Sequence, residues 1–393
     1  MSRRAIIGTG RLLPMDGPTT GATGVIDGPW LLLIEEGRVA EVRAGALQAG
    51  DPEIIEDVGS ALVTPGLVDS HTHLIYAGDR SDEAAARSRG DHYTGGGILR
   101  TVAATVAASD DELVRETRRR LLSARASGTT TIEVKSGYGL EWVEERRLLR
   151  LIADAAEGLP LRVRRTYLGA HAIPAGSDAA TQAEMIVETL PRLASEADHL
   201  DVFCEPDIFG LDLTQAIAEA GALEGLPLKL HADQLQRSGA ALLGARLGAL
   251  SVDHLEQMSA DDAVILGRTP TVATILPGPA LMLGAGLPPA RALVEAGATV
   301  AVGSDANAGT FGQTSMPLAI GLATTLGLTI DEAMWAATAG GARALGLSGA
   351  VGTLTPGAEA DIVAWDAEHE GAFALRLGGP EPVWTWLGGE CDD

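Results

Sequence analysis

Two histidines separated by one residue, His71 and His73, are the first positions in this chain that could do metal chemistry. They follow an apolar run that begins at Thr64. On an extended strand, side chains two residues apart lie on the same face, so both imidazoles can reach one metal ion. Such a pair is also common in packed or surface positions. A metal site therefore requires matching ligands from distant parts of the chain.

Further polar residues occur at the ends of other predicted strands. His171, His231 and His254 each close a short apolar or β-branched run, and Asp305 closes the last one. In a parallel barrel the carboxyl ends of the strands meet at one face, which carries the chemistry. We expect these side chains to converge there. The remaining histidines lie in predicted loops or helix ends and are expected at the surface: His92, His199 and His369.

The middle of the chain alternates short runs suited to strands with longer segments of helical period. The runs cover residues 62–71, 129–135, 163–171, 200–205, 227–231, 250–254, 271–276 and 299–305. The predicted helices cover residues 111–126, 141–156, 179–194, 212–222, 239–247, 260–266, 288–296 and 330–345. Eight β/α units in series predict an α/β protein with a closed (β/α)8 TIM-like barrel. An open, doubly wound sheet is the alternative that these units allow.

Both ends of the chain have a different character. Short alternating stretches at 5–8, 30–35 and 38–42, punctuated by Gly, Pro and Asp, predict a small β meander. Similar stretches at 352–354, 360–366 and 382–387 predict strands near the other end. The expected organisation is a catalytic barrel at 63–346, with residues 1–62 and 347–393 forming the two parts of one small β-sandwich.

The composition disfavours several classes of function. The 393 residues carry a net charge of −24, which argues against nucleic acid and anionic membranes as partners because both are polyanions. We identify no signal peptide and no apolar run long enough to span a bilayer, and we expect a cytoplasmic protein. Cys204 and Cys391 form neither a disulfide framework nor a thiolate site, so histidine and carboxylate must hold any metal. The oligomeric state is left open, with a homodimer as one option.

The nitrogen and oxygen ligands at the strand ends define the expected chemistry. The predicted ligands are two imidazoles after the first strand, one at the fifth and a carboxylate after the eighth: His71, His73, His231 and Asp305. This set suits zinc or iron and leaves room for a water, which the metal would acidify so that hydroxide attacks a carbonyl or amidine-like carbon. His254 would contact that water or the developing oxyanion, and Asp305 would pass a proton to the leaving nitrogen.

The motifs resemble those of a known family. The sequence PGLVDSHTH at 65–73 is similar to the opening motif of the amidohydrolase superfamily, whose members combine a metal-bearing (β/α)8 barrel with a β-sandwich from both chain ends. Within that superfamily, further motifs resemble the imidazolonepropionase family of histidine degradation. They are YAGDR at 76–80, TGGGI at 94–98, EVKSGYG at 133–139, LGAHA at 168–172, DVFCE at 201–205, LHADQ at 230–234, SVDH at 251–254 and SDANAGT at 304–310.

The resemblance implies a role for each matching position, and the four predicted ligands fall on the family's metal ligands. Other positions fall on residues that hold the substrate ring, its propionate tail or the ring-opened product: Arg80, Tyr138, His171, Gln234, Asn307, Gly309 and Thr310. Arg80 can match a carboxylate with two parallel hydrogen bonds, although a surface salt bridge is the alternative. Tyr138 lies between two glycines on a turn expected to be flexible, which is either a ligand contact or a tight turn with an aromatic lid. His171, counted with Asp305 and His254 as catalytic, would bond the ring carbonyl or a ring nitrogen, or be a satisfied barrel-mouth histidine.

Three positions qualify this pattern. Many relatives carry proline where this chain has Ala308. Alanine restores one backbone torsion and one N–H at this position, and so loosens the loop. Gln234 stands where some relatives and many deaminases carry glutamate, and a carboxamide can orient but cannot act as a base. Lys135 follows the second strand rather than a later one, so we expect an ion-pairing or structural residue rather than a carbamylated bridge, and one metal ion per chain.

The leading hypothesis is metal-dependent hydrolysis of the cyclic amide of 4-imidazolone-5-propanoate to N-formimino-L-glutamate, by attack of a hydroxide formed at the metal. The alternatives are another cyclic amidase or heterocycle deaminase of the superfamily, and a scaffold without catalysis. The presence of all four ligands disfavours the scaffold. Gln234 and Arg80 together disfavour deamination, because the first is no base and the second suits a small-molecule substrate with a carboxylate tail.

Overall fold

Eight parallel strands form the central sheet of this protein. The computed structural model describes residues 3–48, 51–52, 54–90, 97–284 and 286–391. The strands in that part of the chain are β1 Arg3–Gly8, β2 Arg11–Leu12, β3 Ile26–Asp27, β4 Trp30–Glu35, β5 Arg38–Ala44, β6 Ile54–Asp57, β7 Leu62–Pro65, β8 Leu67–Asp69, β9 Thr129–Lys135, β10 Arg162–Ala170, β11 His199–Cys204, β12 Leu228–Ala232, β13 Ser251–His254, β14 Val272–Ile275, β15 Val300–Val302, β16 Ile362–Trp365, β17 Pro382–Leu387 and β18 Glu390–Cys391.

The central sheet runs in sequence order from β8 to β15, and each strand is parallel to the next. Every residue of β9, β11 and β12 is buried, as expected for parallel strands covered on both faces. The first and last strands meet just beyond their ends, where Thr72 forms a parallel bridge with Ala306 and the Asp305 N–H donates to the His71 carbonyl at 2.9 Å. The sheet is therefore a nearly closed barrel, which confirms the predicted fold class over the open sheet.

Helices follow the barrel strands as the alternating pattern predicts. Those in the described part of the chain are α1 Ser81–Arg87, α2 Ile98–Ala107, α3 Asp110–Ala126, α4 Trp142–Ala156, α5 Ala179–Thr189, α6 Leu211–Leu223, α7 Ala240–Leu247, α8 Ala260–Leu266, α9 Pro277–Leu283, α10 Ala290–Glu295, α11 Met316–Thr325, α12 Ile330–Trp335, α13 Gly341–Ala344 and α14 Ala372–Leu375. Side-chain caps fix several of their starts; at α8, Ser259 and Asp262 form a capping box. None of these described helices is long and apolar enough to cross a membrane.

The segment predicted as one helix at 330–345 is divided in the structure. A π-helical turn, Ala336–Gly340, joins α12 to α13. Within it the Thr338 hydroxyl donates to the Met334 carbonyl at 2.7 Å, a side-chain contact that competes with the regular helical ladder. Periodicity alone does not reveal such a turn, because the apolar spacing on either side remains helical.

The chain ends build two further sheets that pack together. The N-terminal part forms a four-stranded sheet in the order β5-β4-β1-β6, and both ends form a six-stranded sheet in the order β18-β17-β16-β7-β2-β3. Trp30 and Ile34 of the first sheet share an apolar core with Ile362 and Trp386 of the second. The small β-sandwich made from both termini is thus present. The strand predicted at 352–354 is wrong, since those residues have no strand structure.

The run predicted as one strand at 62–71 also divides. β7 pairs with β16 and β2 in the six-stranded sheet, whereas β8 pairs with β9 in the barrel. Gly66 separates them, and a Cβ at this position would lie 2.0 Å from the Thr130 hydroxyl oxygen, so the close crossing requires glycine. The strand β7 also spans the boundary expected at residue 62. The terminal sheet therefore continues directly into the segment that carries His71 and His73.

Candidate active site

Three imidazoles meet at the carboxyl end of the barrel. His71 and His73 follow β8, and His231 lies within β12. The Nε2 atom of His73 is 3.3 Å from Nε2 of His71 and 3.2 Å from Nε2 of His231. The Asp305 Oδ1 atom lies 3.8 Å from His71 Nε2 and 3.7 Å from His73 Nε2. The structure thus brings together the four side chains predicted as ligands.

Two buried carboxylates set the orientation of these rings. Asp253 Oδ2 lies 2.7 Å from His71 Nδ1, and Asp201 Oδ2 lies 3.0 Å from His231 Nδ1. Since a carboxylate accepts, each Nδ1 carries the hydrogen and each Nε2 turns its lone pair toward the shared point. The Nε2 atom of His73 approaches the same point, and the ligand atoms of the three residues all lie within 4.8 Å of one another. The donor set therefore fits a metal ion.

Burial keeps the imidazoles in the neutral form that binds metal. Removal from solvent lowers the pKa of His71 and His73 well below the ordinary histidine value. Burial also lowers the pKa of His231, although the Asp201 carboxylate opposes that change. All three rings are consequently uncharged at neutral pH and able to donate their lone pairs.

A cluster of buried charges adjoins the three imidazoles. Lys135 Nζ, at the end of β9, lies 2.7 Å from Glu133 Oε2 and 2.7 Å from Asp201 Oδ2. Lys229 Nζ lies 3.5 Å from Asp253 Oδ2. These side chains are fully buried, and a buried charge persists only where an opposite charge or hydrogen bonds compensate it. Lys135 is therefore an ion-pairing residue, as the sequence predicts.

Asp305 and His254 face the same cavity and have shifted proton affinities. Burial raises the pKa of Asp305 to about 6. Burial opposes protonation of His254, but the Glu256 carboxylate, whose Oε1 lies 3.3 Å from His254 Nδ1, outweighs it and raises the pKa of that ring. Carboxyl and imidazole groups that face one cavity are suited to proton transfer to and from a bound substrate.

A small cavity opens in front of these groups and contains most of the positions expected to bind substrate. Those that line it are Arg80, Tyr138, His171, Gln234, Asn307 and Thr310. Gly309 lies behind Arg80, where a Cβ would approach the guanidinium to 2.3 Å. The segment 94–96 of the predicted TGGGI motif lies outside the described residues.

Comparison with known proteins assigns this arrangement to a family. Residues 62–390 match the model of the amidohydrolase family. An imidazolonepropionase from Rubrobacter xylanophilus is 47% identical over 83% of this chain and 80% of its own length. Proteins of the same name from Ralstonia nicotianae and Salinispora arenicola are 44% and 43% identical, over 88% and 97% of this chain and 88% and 96% of their own lengths. The chain belongs to the imidazolonepropionase family of amidohydrolases.

Solved structures share the same architecture. A 5-methylcytosine deaminase from Klebsiella pneumoniae superposes with a TM-score of 0.77 at 14% identity, covering 98% of this chain and 97% of that one. An adenosine deaminase from Xanthomonas campestris, solved with bound zinc, gives a TM-score of 0.75 at 18% identity, covering 98% and 92% of the two chains. Such identities establish the fold alone. Membership of the amidohydrolases and the three-histidine site together indicate a divalent metal ion in this imidazolonepropionase-family protein.

Arg80, the cation that the family resemblance places against the substrate tail, already has a partner. It is almost fully buried, and its Nε and Nη2 atoms lie 3.1 Å and 2.7 Å from the two carboxylate oxygens of Glu83. In this structure the bidentate match expected for a ligand is made by Glu83. Glu83 belongs to α1, which begins directly after Arg80.

Tyr138 and His171 lie together on one wall of the cavity, with ring centroids 5.3 Å apart. His171 Nδ1 donates to the Gly137 carbonyl at 2.8 Å, which leaves Nε2 as an acceptor. Burial lowers the pKa of His171 to about 3, so the ring stays neutral. The turn that carries Tyr138 was expected to be flexible. In the structure it is held by Glu145, which accepts hydrogen bonds from the N–H groups of Gly137, Gly139 and Leu140.

The loop after β15 is held by its own side chains. Asn307 Oδ1 accepts from the N–H groups of Gly309 and Thr310, both at 2.8 Å, and its Nδ2 donates to the Thr310 hydroxyl at 2.7 Å. Asn307 therefore shapes the loop that closes over Arg80, and this geometry suits it less to direct substrate contact. Gln234 lines the same cavity, and its backbone N–H donates to Glu205 at 2.9 Å.

Sequence reasoning missed the carboxylates that orient the site, Asp201, Asp253, Glu256, Glu83 and Glu145. Two of them carried a usable signal, because Asp201 and Asp253 lie inside runs predicted as buried strands, where an unpaired charge is too costly.

Sequence reasoning also misplaced one histidine. His199 is buried at the start of β11, with Nε2 3.2 Å from the Leu345 carbonyl, so its surface prediction is wrong. The strand begins one residue earlier than the apolar run suggested. His369 is exposed as predicted, with 63% of its side chain accessible, and His92 lies outside the described residues.

Proposed function

We propose that this chain is an imidazolonepropionase that hydrolyses the cyclic amide of 4-imidazolone-5-propanoate to N-formimino-L-glutamate, a step of histidine degradation. The carrying observation is that one cavity joins the three-histidine cluster and Asp305 to a single buried arginine, Arg80. A hydrolytic centre and a cation for a remote carboxylate are what this substrate requires. The names of relatives up to 47% identical support the same assignment.

In this reaction water adds to the ring carbonyl carbon, the bond from that carbon to the ring nitrogen breaks, and the nitrogen takes up a proton. A divalent ion held by the three histidines and Asp305 would supply Lewis acidity, which makes water and the carbonyl carbon more reactive. We assign one ion per chain, zinc or iron, because Lys135 is committed to its ion pairs with Glu133 and Asp201.

The chain's own groups would move the proton and hold the ring. Asp305, which would lie beside both the ion and the attacking water, would accept the proton of that water and return it to the leaving nitrogen. His254, which Glu256 keeps protonated at higher pH than usual, would stabilise the negative charge on the former carbonyl oxygen. His171 Nε2 would accept from a ring N–H rather than donate to the carbonyl, because its Nδ1 holds the hydrogen.

The remaining contacts orient the substrate. Arg80 would bind the propionate, Tyr138 and Thr310 would border it, and Gln234 would position the ring without acting as a base. We also place the enzyme in the cytoplasm, where a thiol such as that of the buried Cys204 would remain reduced.

The decisive experiment is ring opening of freshly prepared 4-imidazolone-5-propanoate by purified, metal-analysed protein. We expect loss of the imidazolone absorbance, formation of N-formimino-L-glutamate and close to one equivalent of metal per chain. Release of ammonia from a heterocycle, with no ring opening, would replace the proposal by a deaminase assignment. Two metal equivalents with a carbamate on Lys135 in the mass spectrum would overturn the single-ion assignment.

A further inference from the structure

A carboxylate outside the cavity holds one of the cavity walls. Glu145 lies in the first turn of α4 and is fully buried. Its Oε2 accepts from the Gly137 N–H at 2.8 Å, and its Oε1 accepts from the N–H groups of Gly139 and Leu140, both at 2.7 Å. These donors flank Tyr138 on both sides, so one carboxylate brackets the residue that enters the cavity.

The turn has a backbone shape that needs such support. Gly137 has φ of 83°, and Leu140 has φ of 61°, a left-handed conformation that is costly for a side chain of this size. At Gly139 a Cβ would lie 2.7 Å from the Glu145 backbone nitrogen, so the turn lies directly against α4. From the other side, Gln182 Nε2 donates to the Leu140 carbonyl at 2.8 Å.

The effect of Glu145 extends to a second cavity residue. The same Gly137 whose N–H binds Glu145 offers its carbonyl to His171 Nδ1 at 2.8 Å. This bond determines which nitrogen of His171 carries the hydrogen and therefore which one faces the cavity as an acceptor. A displacement of the turn would move Tyr138 and release His171 at the same time.

We propose that Glu145 is a positioning residue for substrate binding, which fixes the place of Tyr138 and the tautomer of His171 through the backbone of the 137–140 turn. This rests on the proposed function for its catalytic readout. A carboxylate is required because all three partners are N–H donors, and an amide in its place would direct its own NH2 group at one of them.

The test begins with Glu145→Gln. We expect kcat/KM to fall about ten- to a hundred-fold, the range expected when hydrogen bonds to a buried charge are lost, mainly through a higher KM. Metal content should not change, because Glu145 binds only backbone N–H groups of the turn, and Tyr138 approaches the ligand His73 only with its ring, at a centroid distance of 6.1 Å. The matched control is Glu144→Gln on the same helix, which weakens only the partly exposed pair with Arg147 (3.0 Å) and should leave kcat/KM unchanged. Wild-type KM in Glu145→Gln would overturn the proposal.

A double-mutant comparison separates positioning from general destabilisation. In a chain that already carries Tyr138→Phe and His171→Asn, adding Glu145→Gln should lower kcat/KM by less than about threefold, because the groups that it positions are gone. If Glu145→Gln lowers kcat/KM as much in this background as it does in wild type, Glu145 acts through other residues. If Glu145→Gln does not fold, Glu145→Asp replaces it: the shorter carboxylate should give an intermediate rise in KM, and an unchanged KM would again overturn the proposal.

Amide hydrogen exchange provides a readout that does not depend on the reaction. In Glu145→Gln the peptide covering 136–141 should exchange faster than in wild type, while the peptides of β12 and β13 should not change. If wild type fails to open the imidazolone ring, the proposed function is wrong. The exchange experiment then still tests whether Glu145 holds the 137–140 turn. Unchanged exchange at 136–141 would show that Glu145 does not hold the turn.

Discussion

The two ends of the cavity are built in opposite ways. The metal-binding end rests on carboxylates with no solvent exposure, Asp201 and Asp253, which lie on strands whose every residue is buried. At the other end, Arg80 is held by Glu83, whose side chain is 28% exposed and whose helix α1 has no buried residue. One end is embedded in the barrel, and the other lies on a helix that packs little against the core.

The difference corresponds to two tasks. Ligands of a metal ion must keep one geometry, and buried ion pairs hold it because breaking one leaves an uncompensated charge. A residue that binds and releases a charged substrate must exchange partners in every turnover. Arg80 is buried, but its partner Glu83 is partly exposed, so water can solvate that carboxylate when the guanidinium turns to a substrate.

The largest expected effect comes from breaking the embedded end. His231→Ala should abolish turnover and bound metal together, because the site loses one of its three imidazoles. Metal analysis and a ring-opening assay on the same sample test this, and His369→Ala, at an exposed histidine, is the control. Full metal occupancy in His231→Ala would contradict the ligand assignment.

At the end of the cavity that holds Arg80, the substitution Arg80→Met should mainly raise KM. The contact lies far from the bond that breaks and exists in ground and transition states alike. A charge-assisted pair contributes roughly 1.5–3 kcal/mol, so kcat/KM should fall about ten- to several-hundred-fold while metal content stays constant. Arg80→Lys should recover only part of the loss. An unchanged KM for the propionate substrate would point to a neutral heterocycle instead.

The orienting carboxylates should affect metal binding rather than substrate binding. Asp253→Asn removes the charge that faces His71 Nδ1, and we expect metal affinity to fall about 10- to 100-fold. Competition with a chelator measures the metal affinity. The control is Asp262→Asn, which changes a partly exposed pair with Arg237. An affinity equal to that of wild type would mean that the ring is held by packing alone.

The smallest effect is expected at Glu83. Glu83→Gln should raise KM only about two- to fivefold, since the amide oxygen still accepts one hydrogen bond from the guanidinium and this side of the pair is open to water. Steady-state kinetics beside Arg80→Met would sharpen the comparison. A loss as large as that of Arg80→Met would show that the two ends are equally rigid.

The sequence predicted the parts of this comparison that follow from strand ends. His71, His231 and Asp305 converge because the carboxyl ends of parallel strands share one face, and the eight runs made that face predictable. The partners of these residues were not predictable in the same way. His71 meets Asp253 across 182 residues, and neither pattern nor spacing pairs them.

The cation end was harder to read for a different reason. Glu83 and Glu145 lie close in sequence to Arg80 and Tyr138, but charged residues in the first turn of a helix are ordinarily solvated or serve its dipole. Only the path of the chain around α4 makes Glu145 a buried acceptor. The break at Gly66 likewise depends on the pairing of Leu62–Pro65 with Ile362–Trp365, which local propensity does not contain.

That pairing has a consequence for how the protein is made. The Trp365 indole donates to the Thr64 hydroxyl at 2.9 Å across 301 residues of chain. A ribosome that adds about 5–20 residues per second needs roughly 15–60 s to deliver the second partner after the first. During that interval the edge of β7 that pairs with β16 stays open directly upstream of His71 and His73, and Asp305 has yet to emerge for most of it. The metal centre is therefore completed late in synthesis, and a nascent chain that stalls before Asp305 presents an aggregation-prone strand edge next to two histidines that lack their full set of co-ligands.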